Sequence, residues 1–283
     1  MPLQITISTQ NVGGMRGEFQ SKHGPKFGII RRLAKRQLDF CVLTEVRCQE
    51  GNIKKAKIHH NMKPSLFSVS PDPRGGVVIF SNKEYELINH SVRRSATPGH
   101  FAIGVYITPN QSKIIVAGIY GPSENNDILS HQFYQEVKET LNELQNTFQT
   151  NNLLMAGDFN AVLCARDSSS EHVTKKRTTG LIQEIMEDYH LIDIGERTNR
   201  TQHTWFRRNN NNISSRLDLI LTNLPIIDPK YSTKITIFDH AWTQASFGQK
   251  REKTTPSMKD YVLGSDEFLI KYFSLLEQQL SLI

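Results

Sequence analysis

Several things this chain lacks narrow its class. No run approaches the roughly 18 apolar residues that a membrane-spanning helix needs, so no membrane association is expected. The opening MPLQITISTQNV has neither the charged start nor the apolar stretch of a secretory signal. Cysteine is scarce: Cys41, Cys48 and Cys164 are an odd number without zinc-like spacing. Cys41 sits in an apolar stretch and reads as a small core residue, and an intracellular, reducing setting is expected. There is no internal repeat. What is present is ordinary for a globular protein: 283 residues, 37% hydrophobic, enough for one large domain or two small ones. The net charge of +6 is a mild pull toward polyanions.

The informative stretch is Leu153–Asn160, LLMAGDFN. Four apolar residues running into Gly157 predict a buried strand that stops at a loop. Alternation along an extended backbone would point Asp158 and Asn160 the same way and turn Phe159 toward the core. A carboxylate and a carboxamide at the mouth of a sheet suit ligation of a hard cation or the positioning of a water. Equally, the same residues form an Asx turn that merely caps a strand.

Along the rest of the chain, strands are expected at 3–8, 39–43, 66–69, 76–80, 87–92, 101–107, 113–119, 203–206, 217–221, 235–238 and 241–247. The run from 66 to 119 has the spacing of an antiparallel meander or sandwich. Helical spacing is expected from Phe27 to Gln37, from Phe133 to Phe148 and from Leu181 to Tyr189, with Ser123 as a candidate cap. Asp218 is the one charge in LDLIL and needs a partner, because an unpaired buried carboxylate is costly. His59 and His60 read as surface residues. After Phe247 the texture changes: QKREKTTPSMK reads as a linker, and Phe268, Ile270, Tyr272, Phe273, Leu275 and Leu276 as a helix apolar on most faces. The expected division is a domain at 1–248 and a basic linker with an apolar helix at 249–283. Either that helix docks on the domain, or the chain is a piece of a longer polypeptide; the second is the expectation.

Asn11, Glu45, Tyr120, Asp158, Asn160, Asp218 and the pair Asp239–His240 all stand at or beside expected strand ends, where loops carry sites. In the order QNVGGMRG, LTEVR, GGVVIFSN, IYGPSEN, GDFNAVL, SRLDLIL and FDHAW, the chain from Ile5 to Phe247 resembles the endonuclease/exonuclease/phosphatase superfamily. That resemblance implies an α/β fold, a DNase I-like four-layer sandwich of two packed mixed sheets flanked by helices. It implies Glu45 as a metal-binding glutamate, with Asn11 and Asp239 beside the metal, and Mg²⁺ (or Mn²⁺) as cofactor. Asp158 matches the aspartate that orients or deprotonates the attacking water, Asn160 its neighbour, and Tyr120 a phosphate-contacting tyrosine. Asp218 matches the partner of the final histidine, His240. Which group is the base stays open. Gly13 stands where apurinic endonucleases usually carry an acidic residue. Phe238 replaces the serine of the common Ser-Asp-His ending, and Gly99 and His100 stand where an arginine or similar is frequent.

Within the superfamily the chain is most similar to the endonuclease region of non-LTR (LINE-type) retrotransposon polyproteins, on TEVR, HTWF ahead of SRLD, and the tail. The implied activity is nicking one strand of double-stranded DNA in the nucleus, leaving a 3′-hydroxyl that primes reverse transcription. Element RNA would enter only through downstream domains. Lys175, Lys176, Arg177, Arg207, Arg208 and Arg216 are the expected phosphate contacts, on loops that are otherwise simply solvated. The alternatives are repair at abasic sites, or hydrolysis of a lipid or inositol phosphate.

Overall fold

The computed structural model describes residues 4–248 except 16–23, 35–36, 57, 59–60, 70–74, 98, 124–125, 170–175, 199–201, 208–212 and 235–238. The chain divides into one compact unit, Met1–Gln249, and a second, Lys250–Ile283, which lies outside the described residues, as do His59 and His60. In chain order the elements begin with β1 (Ile5–Asn11), α1 (Pro25–Leu33), β2 (Phe40–Thr44), α2 (Glu50–Lys55), β3 (Met62–Ser68) and β4 (Val77–Asn82). Then come β5 (Glu86–Leu87), β6 (Arg93–Arg94), β7 (Phe101–Ile107), β8 (Lys113–Tyr120), α3 (Asp127–Phe148) and β9 (Leu153–Asp158). Next are α4 (Lys176–Asp188), β10 (Ile192–Asp193), α5 (Ile194–Arg197), β11 (Trp205–Phe206) and β12 (Ser214–Ser215). The last three are β13 (Asp218–Thr222), β14 (Lys230–Lys234) and β15 (Trp242–Phe247). Among the described residues no helix is long and apolar enough to cross a membrane.

Two mixed sheets result. One runs β14-β15-β1-β2-β4-β3, with only β1 and β2 parallel. The other runs β10-β13-β9-β8-β7-β5, with β6 also on β7 and only β8 and β9 parallel. Their central strands are apolar on both faces because both faces are covered. Val42, Val77, Ile79, Leu154, Ala156 and Ile220 point into the seam between the sheets. Their neighbours Cys41, Leu43, Val78 and Phe80 pack with Phe27, Ile30 and Ile53 of α1 and α2. On the other side Leu153, Met155 and Leu219 meet α3 and α4. The period-2 alternation of strands thus feeds two cores at once, and the expected α/β sandwich of two mixed sheets with outer helices is what forms. Burial pushes the Cys41 thiol up to about 12, as befits a core residue rather than a reactive one.

In α3, Phe133, Val137, Leu141, Leu144 and Phe148 are buried at helical spacing, each worth about 1.5–3 kcal/mol of burial. The helix starts earlier than its apolar stripe. Asn126, not Ser123, caps it, accepting from the backbone N–H groups of Ile128 and Leu129 at 3.0 and 3.2 Å. The span expected as one strand at 87–92 is instead β5, a short turn of helix and β6, since Ser91 Oγ donates to Ile88 O and accepts from Val105 N. The strand expected at 235–238 lies outside the described residues. The strand on the outer side of β15 is Lys230–Lys234, an edge strand whose alternating exposure lets it stay polar.

Candidate active site

β8 and β9 run parallel and end together, placing Tyr120 beside Asp158. β13 runs antiparallel to β9 on its other side, placing Asp218 directly opposite Asp158. Two carboxylates facing each other across a ladder repel unless a cation joins them. His240 does so. Its Nδ1 lies 2.7 Å from Asp218 Oδ2 and its Nε2 lies 3.7 Å from Asp158 Oδ2. All three side chains are buried. Burial alone would depress the imidazole, but the adjoining Asp218 and Asp158 charges outweigh it and carry His240 up to about 9. Burial also raises Asp158, opposed by His240, by an Asn11 hydrogen bond and by the Asn160 N–H. The resting state near neutrality is therefore an imidazolium between two buried acids.

The first sheet supplies the rest. At the end of β1, Asn11 Nδ2 donates to Asp158 Oδ2 at 2.8 Å, while its Oδ1 accepts from Gly13 N at 2.9 Å. Glu45 follows β2 and pairs with Arg47. Asn160 sits at φ 51°, a left-handed conformation that asparagine tolerates, and its N–H donates to Asp158 Oδ1 at 3.0 Å. So the Asx turn and the buried carboxylate are both present. Phe159 is buried as expected, but the strand ends at Asp158 and the turn at Asn160, not extended alternation, sets the directions. Gly157 has φ 151°, and a Cβ there would stand 1.9 Å from Ile119 O. Only glycine lets β9 close on β8 just before Asp158.

Asn11, Glu45, Tyr120, Asp158, Asn160, Asp239 and His240 line one pocket of about 400 Å³, together with Ser123, Trp205, Ser215 and Leu217. Asp218 stands behind His240. The Tyr120 hydroxyl is pushed up to about 12 by burial and by Asp158, so it stays a neutral donor. Three more residues support these, of which Gln10 and Thr204 are not singled out by the sequence and His100 is marked only as a departure from the family. Gln10 Nε2 donates to His240 O at 2.9 Å. Buried Thr204 accepts on its Oγ1 from the N–H groups of Leu217 and Asp218, both at 3.0 Å, and its carbonyl accepts from Ala241 N. His100 stacks on Tyr120, with centroids 5.7 Å apart and an interplanar angle of 18°. Gln10 offers no distinct signal, since Thr6, Ser8, Thr9 and Asn11 are also polar in the same strand. Thr204 lay unremarked inside HTWF.

The basic residues divide. Arg216 is not a phosphate contact: it is buried and grips Asp167 with Nε and Nη2 at 2.8 and 2.9 Å, with Nη1 2.6 Å from Asp193. Desolvation this deep is tolerable only because two carboxylates meet it, and no DNA reaches it. Arg207 is exposed beside the β11–β12 ribbon, its N–H bonded to Ile213 O. Arg177 is exposed near the start of α4, 3.7 Å from Asp127. Lys175, Arg208 and the side chain of Lys176 lie outside the described residues.

A model of the Endonuclease/Exonuclease/phosphatase family matches residues 8–270. No curated protein sequence matches the chain. Among solved structures, the catalytic domain of Xenopus laevis APE2 is similar at 13% identity and a TM-score of 0.65, over 88% of this chain and 94% of that one. The 3′ phosphatase NExo from Neisseria, bound to a product DNA hairpin, is similar at 17% identity and 0.62, over 86% and 99%. The endonuclease domain of TRAS1, a telomere-specific non-LTR retrotransposon, is similar at 12% and 0.57, over 87% and 100%. At these identities the likenesses establish the fold.

Proposed function

Since the chain belongs to the endonuclease/exonuclease/phosphatase family, we propose that it hydrolyses phosphodiesters of double-stranded DNA, nicking one strand and leaving a 3′-hydroxyl. The observation that carries this is the meeting of Asp158 and Tyr120 from one sheet with Asn11, Glu45 and His240 from the other in a single pocket. In the proposed reaction Asp158, fixed by Asn11 and the Asn160 N–H, orients the attacking water in line with the scissile bond. The His240 imidazolium, held by Asp218, faces the charge that builds on the phosphoryl oxygens. Tyr120 donates its hydroxyl to a phosphate oxygen.

Among the described residues no three His, Cys, Asp or Glu side chains form a cage for a metal. Mg²⁺ needs none, since it keeps several waters and takes one or two carboxylates plus substrate phosphate. The hard oxygens of Glu45, Asp239 and Asn11 along the pocket fit that demand, and they are the residues we assign to hold it, with Mn²⁺ as a substitute. Such an ion would neutralise phosphate charge and stabilise the leaving oxygen.

DNA as substrate is supported by the exposed Arg207 beside the pocket-lining Trp205 and Ser215, and by the net charge of +6. The retrotransposon reading, with action in the nucleus to prime reverse transcription, rests on TEVR, HTWF and the sequence of residues 249–283. The test is supercoiled plasmid with Mg²⁺. Nicked circles should accumulate whose ends a polymerase extends without prior phosphatase treatment, and intact duplex should be cut as fast as abasic duplex. Absence of nicking alongside turnover of a lipid or inositol phosphate would refute DNA as substrate; strong preference for abasic duplex would make it a repair enzyme.

The electrostatics add a pH expectation. His240 must be protonated, so the rate should fall as pH rises through about 9. Asp218 is the largest influence holding the imidazole up, against burial. In Asp218→Asn the alkaline limb should therefore move to lower pH, read from kcat/KM across pH; a limb that stays in place would remove His240 from the chemistry.

A further inference from the structure

Arg47 lies just outside the pocket, in contact with one group that lines it, Glu45, and near a second, Tyr120. Its guanidinium pairs with Glu45, the carboxylate assigned above to the metal. Its N–H donates to Gly75 O at 2.9 Å, and a Cβ on Gly75 would stand 3.3 Å from Gly99 O and 3.7 Å from the Tyr120 ring. The loop that carries it is built for this placement. Glu45 and Arg47 both adopt left-handed backbone, at φ 55° and 47°, a conformation costly for such residues. The loop is held by Val46 N to Gly76 O at 3.1 Å and by Gly14 N to Glu45 O at 2.8 Å. Gly76, at φ 106°, must be glycine, because a Cβ would meet Val46 Cγ2 at 2.6 Å. The Arg47 stem runs over Gly14, with Cδ 3.1 Å from a would-be Cβ. Yet its side chain remains 42% exposed while that of Glu45 is 16% exposed. A cation this accessible has room to swing from one anion to another.

We propose that Arg47 is a charge placeholder: it neutralises Glu45 until a divalent cation arrives, then turns to the substrate phosphate beside Tyr120. The idea rests on the assignment of Glu45 to the metal. It explains why a metal-binding carboxylate tolerates a guanidinium within the same tight loop. A salt bridge that must break before the metal binds weakens metal affinity in the free protein. A guanidinium released next to a phosphate strengthens binding of the transition state, since its fork matches phosphate oxygens. Arg47 should thus oppose one ligand and favour the other.

The experiment titrates Mn²⁺ calorimetrically into the metal-free full chain without DNA, and separately measures plasmid nicking at saturating Mn²⁺. Arg47→Met keeps the stem over Gly14 and removes the charge. It should bind Mn²⁺ about two- to fivefold more tightly, the range of a half-exposed ion pair, and nick roughly 10- to 100-fold more slowly. Arg47→Lys should bind Mn²⁺ as the wild type does. Unchanged or weaker Mn²⁺ binding in Arg47→Met overturns the proposal, and so does tighter binding with an undiminished nicking rate. Should Arg47→Met not fold, Arg47→Gln carries the same expectations. If the wild type cuts no DNA, the proposed substrate fails, while the Mn²⁺ titration still decides whether Arg47 competes for Glu45.

Discussion

Asp158→Asn should cut the nicking rate by about 10²–10⁴-fold while leaving the protein as stable as the wild type or more so. The two effects have one source. Asp158 is buried, and that burial raises its carboxyl above the ordinary range, so the folded protein carries the charge at a cost. Asparagine has the same shape. Its oxygen can still accept from Asn11 Nδ2 or Asn160 N, but it cannot accept a proton or draw one from water. Relieving the unfavourable charge should hold the melting temperature level or raise it, the pattern expected where a site is retained for activity at the expense of stability. Asp158→Ala is the harsher variant, because it also strips Asn11 of its partner at 2.8 Å. Nicking assays paired with thermal melts in EDTA decide the matter. Full activity in Asp158→Asn, or a large fall in stability with activity intact, would show that the aspartate is structural.

Arg216→Ala should destabilise the fold by about 3–5 kcal/mol, the cost of leaving buried charges unmatched. The arginine binds Asp167 through two parallel hydrogen bonds and Asp193 through a third close contact, and Asp193 in turn caps α5 by accepting from Gly195 N at 2.9 Å. Removing the guanidinium strands both acids in the interior. Burial already raises Asp193 with the arginine present, so the variant should take up a proton there and lose the cap's charge. Urea unfolding of the wild type, of Arg216→Ala and of Arg216→Ala/Asp167→Asn should show the double variant recovering part of the loss. A change under about 1 kcal/mol in the single variant would contradict the burial argument. Because the side chain never meets solvent, its loss should leave the salt dependence of DNA binding untouched.

The contrast between Arg216 and Asp218 shows what the sequence makes legible. Asp218 stands out because a lone charge inside LDLIL has to be matched, while the identity of the match, His240, comes from the family resemblance. Arg216 sits in a polar stretch rich in arginine, where a buried guanidinium and a solvated one look alike. Its partners come from remote segments, and only tertiary structure assembles them. The apolar strands were legible because covering both faces makes them continuous runs. β14 was not, since an edge strand with one neighbour can be written as KYSTK. The polar groups at strand ends, which the order of the motifs marks, come together in the structure, whereas Thr204 works through a hydroxyl and a carbonyl facing backbone, which no side-chain pattern advertises.

β15 enters its sheet between β14 and β1, and the histidine immediately ahead of it is almost the last described part of the domain. A chain still emerging from the ribosome therefore holds its acidic half-site long before the imidazole can close over it. Until β15 has emerged and is threaded home, the nascent protein should be chemically inert toward any nucleic acid nearby, the translated message included.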